Sequence, residues 1–147
     1  MTNSIFSQQL QFLKRVMGMN IEDVSQEDSL ITSSNDGNSA NWVIGHMIVV
    51  REGMRKALGL PAIADEAMVN LYDRGKSNVT KETAYKLEDL LEMYYRGSDE
   101  MIKRLESDEV KEQEAINTMT VLLFHEAYHA GQIGLFRRVM GKDSKIK

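Results

Sequence analysis

The sequence predicts an all-α fold, a four-helix bundle forming one domain over residues 1–147, and three observations lead there. Four segments repeat apolar residues at the three- and four-residue spacing of a helix face. The only proline, Pro61, falls between the second and third of them. No segment carries a strong strand alternation, and there is no internal repeat. At 147 residues the chain is near the commonest domain size and can bury a useful core.

The first helix is expected over residues 4–19, where Phe6, Leu10, Leu13 and Met17 form one apolar stripe. Residues 20–38 then turn polar and end in Ser33-Ser34-Asn35-Asp36-Gly37-Asn38, a turn-rich loop. The second helix should start at a Ser39 cap and run to Leu58, where Gly59-Leu60-Pro61 stops it. Its charges, Arg51, Glu52, Arg55 and Lys56, cluster on one side. At about 100° per residue, His46 lies within roughly 30° of the point opposite them and so faces inward.

Residues 59–79 form a long connection with a short helical piece around Asp65 to Tyr72. Such a connection is long enough to cross the bundle, so the third helix could run parallel to the second. That third helix is expected from just after Thr80 to Ser107, with Leu87, Leu91, Tyr94, Ser98, Met101 and Leu105 as its seam and Ser98 its one polar break. The fourth should run from Thr118 or Thr120 to Met140, with Gly141 as terminator. On a helical wheel His125 and His129 share a side with Val121, Leu122, Gln132, Phe136 and Met140 and point into the core.

Composition excludes several function classes. A net charge of −4 argues against nucleic-acid binding, and the small basic tail Lys142, Lys145, Lys147 does not change that. There is no cysteine, which removes disulfides, zinc–thiolate sites and a cysteine nucleophile together, so any thiol must arrive on a substrate. The start of the chain lacks a secretory pattern, and the longest uncharged apolar run, Trp42 to Val50, is too short for a membrane span. A soluble, cytoplasmic protein is expected. Its ten methionines read as adaptable core filling.

The chemistry lies in the histidines. His125 and His129, four apart, lie one helical turn apart on one face, close enough for both imidazoles to reach one ion at about 2.0–2.1 Å. His46, inward on another helix, is the candidate third ligand. Three neutral nitrogens would hold one divalent metal ion per chain and leave a position open for water or substrate. Imidazole suits zinc, nickel, copper and iron, with zinc or nickel expected first. The alternative is three buried histidines satisfied by hydrogen bonds, against which stands the cost of burying three unpaired imidazoles.

His125-Glu126-Ala127-Tyr128-His129 also matches the metalloprotease pattern H-E-x-x-H, in which the glutamate is the general base. Residues 130–147 hold neither a glutamate nor a histidine for a downstream ligand, and Gln132 and Leu135 occupy the Gly and His positions of the extended pattern. A protease is therefore not expected. Glu126 lies about 100° around the helix from His125, which makes direct ligation awkward. It reads as a surface carboxylate, with acid–base work at a pocket rim as the alternative.

Asn41-Trp42-Val43-Ile44-Gly45-His46 resembles the first signature of the DinB/YfiT-like superfamily, and His125-Glu126-Ala127-Tyr128-His129-Ala130-Gly131-Gln132-Ile133 resembles its second. The resemblance spans essentially the whole chain. It implies a bundle of up-down-down-up connectivity, a divalent metal on His46, His125 and His129, and a homodimer. It also implies a small-molecule substrate, with thiol-dependent S-transferases and isomerases among the members of assigned activity, and no DNA binding.

Gln132 either hydrogen-bonds near the metal and orients a ligand or is a core amide satisfied by a neighbouring helix. Trp42, one turn before His46, reads as a core residue with one polar handle. Gly45, Gly131 and Gly134 read as points of close helix approach. Arg137 and Arg138 read as favouring the dipole of their own helix, with an anionic substrate as the alternative. Two functions are carried forward: an enzyme in which a metal activates a thiol or water, and a non-catalytic, stress-associated metal- or ligand-binding protein, with a degenerate member as a third possibility.

Overall fold

The computed structural model describes residues 1–32, 37–76 and 78–146. It is all-helical: α1 (Thr2–Asn20), α2 (Gln26–Ser29), α3 (Ala40–Ala57), α4 (Glu66–Tyr72), α5 (Leu87–Ser107) and α6 (Gln113–Val139). Among the described residues there is no strand, only one antiparallel bridge between Thr32 and Ser39. Residues 33–36 of the expected turn-rich loop, and Lys147 of the basic tail, lie outside the described residues. No helix among those described is long and apolar enough to cross a membrane.

The apolar stripe of α1 is buried at all four positions, Phe6, Leu10, Leu13 and Met17. Helix α2 was not expected within the polar 20–38 stretch, because four residues are too few to show a period. It forms on a capping box in which Ser25 and Asp28 satisfy each other's backbone N–H groups. Helix α3 starts as expected, Ser39 accepting from the Trp42 N–H at 3.2 Å. Asp65 caps α4 in the same way, accepting from Met68 at 2.8 Å.

Two helix starts differ from expectation. Helix α5 begins at Leu87 rather than just after Thr80, because the intervening backbone is captured by side chains. Thr83 Oγ1 accepts from the Thr80 N–H, the Tyr72 hydroxyl from the Tyr85 N–H and Gln26 Oε1 from the Leu87 N–H. Helix α6 begins at Gln113, well before Thr118. Thr120 is no cap: its hydroxyl donates back to the Ile116 carbonyl at 2.8 Å, inside the helix. The helix ends as expected near Gly141, at φ +76°.

Helix α1 packs on α5 and α6, and α3 packs on the same two, while α4 lies against α3. Residues 40–49 of α3 are all buried. The methionines fill this interior, with Met17, Met47, Met54, Met68, Met101 and Met119 fully buried. One apolar cluster includes Ile44, Met47 and Tyr94, and a second includes Met54, Met101 and Leu123. Along their helices, Arg51 and Ser98 fall between the two.

The expectation of a solvated charged side on α3 is corrected here, because Arg51 and Arg55 are buried at 0 % and 1 % exposure. Arg55 donates to the Pro61 carbonyl and pairs with Glu100, while Glu52 accepts from the Ile63 and Ala64 N–H groups. These charges tie the 59–65 connection and α5 to α3. Arg137 is likewise internal. It donates to the Asn20, Glu22 and Asp143 carbonyls and so caps the end of α1, serving neither an anionic substrate nor chiefly its own helix.

Candidate metal centre

His46 is 4 % exposed and His129 9 %, while His125 is half-buried at the edge of α6. The inward face of α6 runs through Met119, Leu123, Glu126, Ala130 and Ile133. It is turned from the expected side, so Val121 is exposed and His125 sits at the rim. His46 reaches the same place because α3 is buried on every side there, and not because it opposes a solvated face. One nitrogen from each ring lies within 4.8 Å of the others. The Nε2 atoms of His125 and His129 are 3.0 Å apart, close to the ~3.4 Å expected for two nitrogens on one tetrahedral ion.

Two of the rings are locked from behind. His46 Nδ1 stands 2.9 Å from the Tyr72 carbonyl, and His129 Nδ1 2.8 Å from Gln132 Oε1. Both oxygens only accept, so both Nδ1 atoms carry the proton and both Nε2 atoms present a lone pair. Among the two readings of Gln132, the one that orients a ligand is the one the contact supports. Trp42 stacks on His46 with ring centroids 4.8 Å apart and planes at 10°, and Tyr128 meets His129 edge-on at 5.0 Å.

The Tyr72 carbonyl was not legible in the sequence, since a backbone acceptor leaves no residue-type signal. The glycine before His46 was the available clue. A Cβ on Gly45 would lie 2.2 Å from Tyr72 Cδ1, so glycine lets α4 seat against α3. The Tyr72 hydroxyl donates to Asn41 Oδ1, and burial raises its pKa to about 12, so it stays protonated. Gly134 faces the Asn20 amide at 3.3 Å, as close approach requires, whereas a Cβ on Gly131 would meet nothing within 4 Å, and that expectation fails.

Burial lowers the His125 pKa to about 4, helped by the neighbouring His129 and His46 rings and by the Arg74 charge. Burial lowers that of His129 as well, against the opposing effect of the hydrogen bond it donates to Gln132. Both imidazoles are therefore neutral near pH 7, as ligation requires. The His125–His129 contact can share one proton, yet the inward lone pair of His46 remains beside it. His125 Nδ1 is buried with no partner among the described residues. The converging ring nitrogens fit a cation, and the three histidines could hold a metal ion.

Glu126, expected at the surface, is 1 % exposed. Both its oxygens pair with Arg51, through Nε and, at 2.8 Å, through Nη2. Arg51 Nη1 donates to the Tyr94 carbonyl at 2.8 Å and to Ser98 Oγ at 2.7 Å, and the guanidinium lies 3.8 Å from the Tyr94 ring centroid. Burial alone would lower the Arg51 pKa, but the Glu126 carboxylate together with Tyr94 holds it above its ordinary value. The glutamate of the H-E-x-x-H match is thus committed to an ion pair. Ser98, the polar break in the α5 seam, is a ligand of the same guanidinium. No family model, no curated protein and no solved structure matches the chain.

Proposed function

We propose that this chain is a divalent-metal protein of the DinB/YfiT-like kind, zinc or nickel on His46, His125 and His129, that activates a low-molecular-weight thiol or water. S-transfer to an electrophile is the preferred reaction. The observation that carries the reading is the pair of acceptors behind the ligands. The Tyr72 carbonyl and Gln132 aim two Nε2 lone pairs at one point beside His125.

Up-down-down-up connectivity belongs to the same reading. It is supported by Arg51 and Arg104 of α3 and α5, which meet Tyr94 and Leu58 in the order that parallel helices require. It is supported too by Asn3 at the start of α1, which donates to Leu105 near the end of α5.

When bound, the ion supplies Lewis acidity that lowers the pKa of a coordinated thiol or water. The chain's own part is to hold the three ligands oriented, with His125 and His129 kept neutral by burial and Trp42 closing one side of His46. Thiol chemistry is favoured over hydrolysis because Glu126 is tied to Arg51 and cannot take a proton from water. That same pairing also favours the alternative, a non-catalytic metal- or ligand-binding protein, since among the described residues no carboxylate is paired with the trio. A cytoplasmic location, where small thiols are kept reduced, fits the first reading.

The partner in a homodimer is a second copy set against the outer face of α6 and the adjoining edge of α1. Val121, Phe124, Tyr128 and Leu135, with Ile5 and Phe12, are each half or more exposed. Together they form an exposed, aromatic-rich apolar face of the kind that interfaces between chains cover. Light scattering should give twice the chain mass, reduced to the chain mass by Phe124→Glu; a monomeric wild type would remove this part. The activity is tested by assaying metal-reloaded protein against a panel of thiols and electrophiles. Turnover above background, abolished by a chelator and by His125→Ala, is expected. No turnover with any pair leaves the binding role.

A further inference from the structure

The outer side of α6 carries a stripe in which large and small residues alternate. Phe124, Tyr128 and Leu135 are 79 %, 65 % and 64 % exposed, and Thr120, Ala127 and Gly131 are exposed beside them. Gly131 has no role within the chain: a Cβ there meets nothing within 4 Å, and its φ is not among the positive ones. Glycine nonetheless weakens a helix interior, so a contact outside the chain has to account for it.

The stripe is symmetric about the point midway between Ala127 and Tyr128. Turned end for end through that point, Phe124 falls level with Gly131, Leu135 with Thr120 and Tyr128 with Ala127, a large side chain against a small one each time. A helix that complements its own reverse fits a second copy of itself across a two-fold axis.

We propose that a second copy packs its α6 antiparallel on this α6, with the two-fold between Ala127 and Tyr128 and Phe124 of each chain seated at the partner's Gly131. This rests on the dimer reading above and gives it a register.

Charge sets the direction. No charged residue is exposed on α6 between Asn117 and Arg138. Glu112 and Glu114 are exposed at its start and Arg138 at its end, and none of the three has an ion-pair partner among the described residues. Parallel copies would set like charges together, whereas antiparallel copies bring Arg138 level with the partner's Asn117, one turn from the acidic start, and oppose the two helix dipoles.

A groove receives the incoming ring. Ala127, Ala130 and Gly131 line it from α6, and Phe12 and Val16 from α1. With alanine and glycine at the centre, the two helix axes can approach to about 8 Å. Tyr128 also meets His129 edge-on at 5.0 Å, so the two-fold lies beside the histidine trio.

The full chain has no cysteine, so introduced cysteines report the register without background. Ala127→Cys stands one residue rise, about 1.5 Å, from level with its own copy, and the facing Cα atoms are about 6 Å apart, within disulfide reach. Thr120→Cys is about 22 Å along the axis from its copy. Under mild oxidation in dilute solution, Ala127→Cys should run as a covalent dimer on a non-reducing gel and Thr120→Cys should not. Thr120→Cys combined with Leu135→Cys should cross-link again. Gly131→Leu, whose Cβ has open space in its own chain, should keep wild-type helicity by circular dichroism and scatter light as a single chain. A dimeric wild type whose Ala127→Cys fails to cross-link, or a Gly131→Leu protein that stays dimeric, overturns the register alone. A wild type of single-chain mass overturns the dimer reading beneath it.

Discussion

Removing the Glu126 carboxylate should destabilise the fold without emptying the metal site. Glu126→Ala leaves Arg51 buried at 0 % exposure, still bonded to the Tyr94 carbonyl and Ser98 Oγ but without its counter-charge. Breaking a buried pair from one side costs about 3–5 kcal/mol, against a total stability of about 5–15 kcal/mol for a domain. At about 2–4 °C per kcal/mol for this size, the melting temperature should fall by roughly 10 °C. Glu126→Gln, which keeps the shape and one acceptor, should sit at the low end.

Replacing both partners, Arg51→Met with Glu126→Leu, should recover most of the loss, because the desolvation of both charges is removed as well. Urea unfolding of wild type, Arg51→Met, Glu126→Leu and the double variant in a double-mutant cycle measures the coupling, expected to be about 2 kcal/mol or more and insensitive to salt. A Glu126→Ala protein within about 1 kcal/mol of wild type, or a cycle additive within about 0.5 kcal/mol, would refute the buried pair. It would also return Glu126 to the role of a free base.

Gly45→Ala should drive a methyl into the Tyr72 ring, costing about 1–3 kcal/mol by overpacking and loosening the carbonyl that holds His46; calorimetry and metal titration on one sample check both effects. Gln132→Leu should weaken metal binding by about 10- to 100-fold with little change in the melting temperature of metal-free protein; unchanged affinity would make Gln132 a bystander. Acidification should destabilise the metal-free protein between pH 6.5 and about 4, where the unfolded chain binds a proton at His125 that the folded chain does not. The contribution is fully present above pH 6.5 and lost as pH falls through that window. A melting-temperature series in which His125→Asn follows the same slope as wild type would contradict it.

The long helices were legible because their signals are periodic and local. The Phe6–Met17 stripe, the Ser39 cap and the Gly141 stop each rest on residues within a few turns of one another. What escaped depends on partners distant in sequence. The α5 start is set by Tyr72 and Gln26, and the side on which Arg51 and Glu126 are counted as charged or buried is set by their meeting across α3 and α6. Charge type alone favoured solvent for both, and a saturated pair overrides that preference. The inward placement of His46 was reached from a wrong premise, since the opposing face is not solvated. The histidine trio itself was visible in spacing and count, but its tautomers were not, because one of the groups that sets them is a backbone carbonyl.

The central claim is that three imidazoles hold one ion. Elemental analysis after stripping and reloading with several divalent metals, on wild type beside a His46→Ala, His125→Ala, His129→Ala variant, tests it most directly. About one ion per chain in wild type and none in the variant is the predicted result; no metal in either, or equal metal in both, would contradict it and return the histidines to the core.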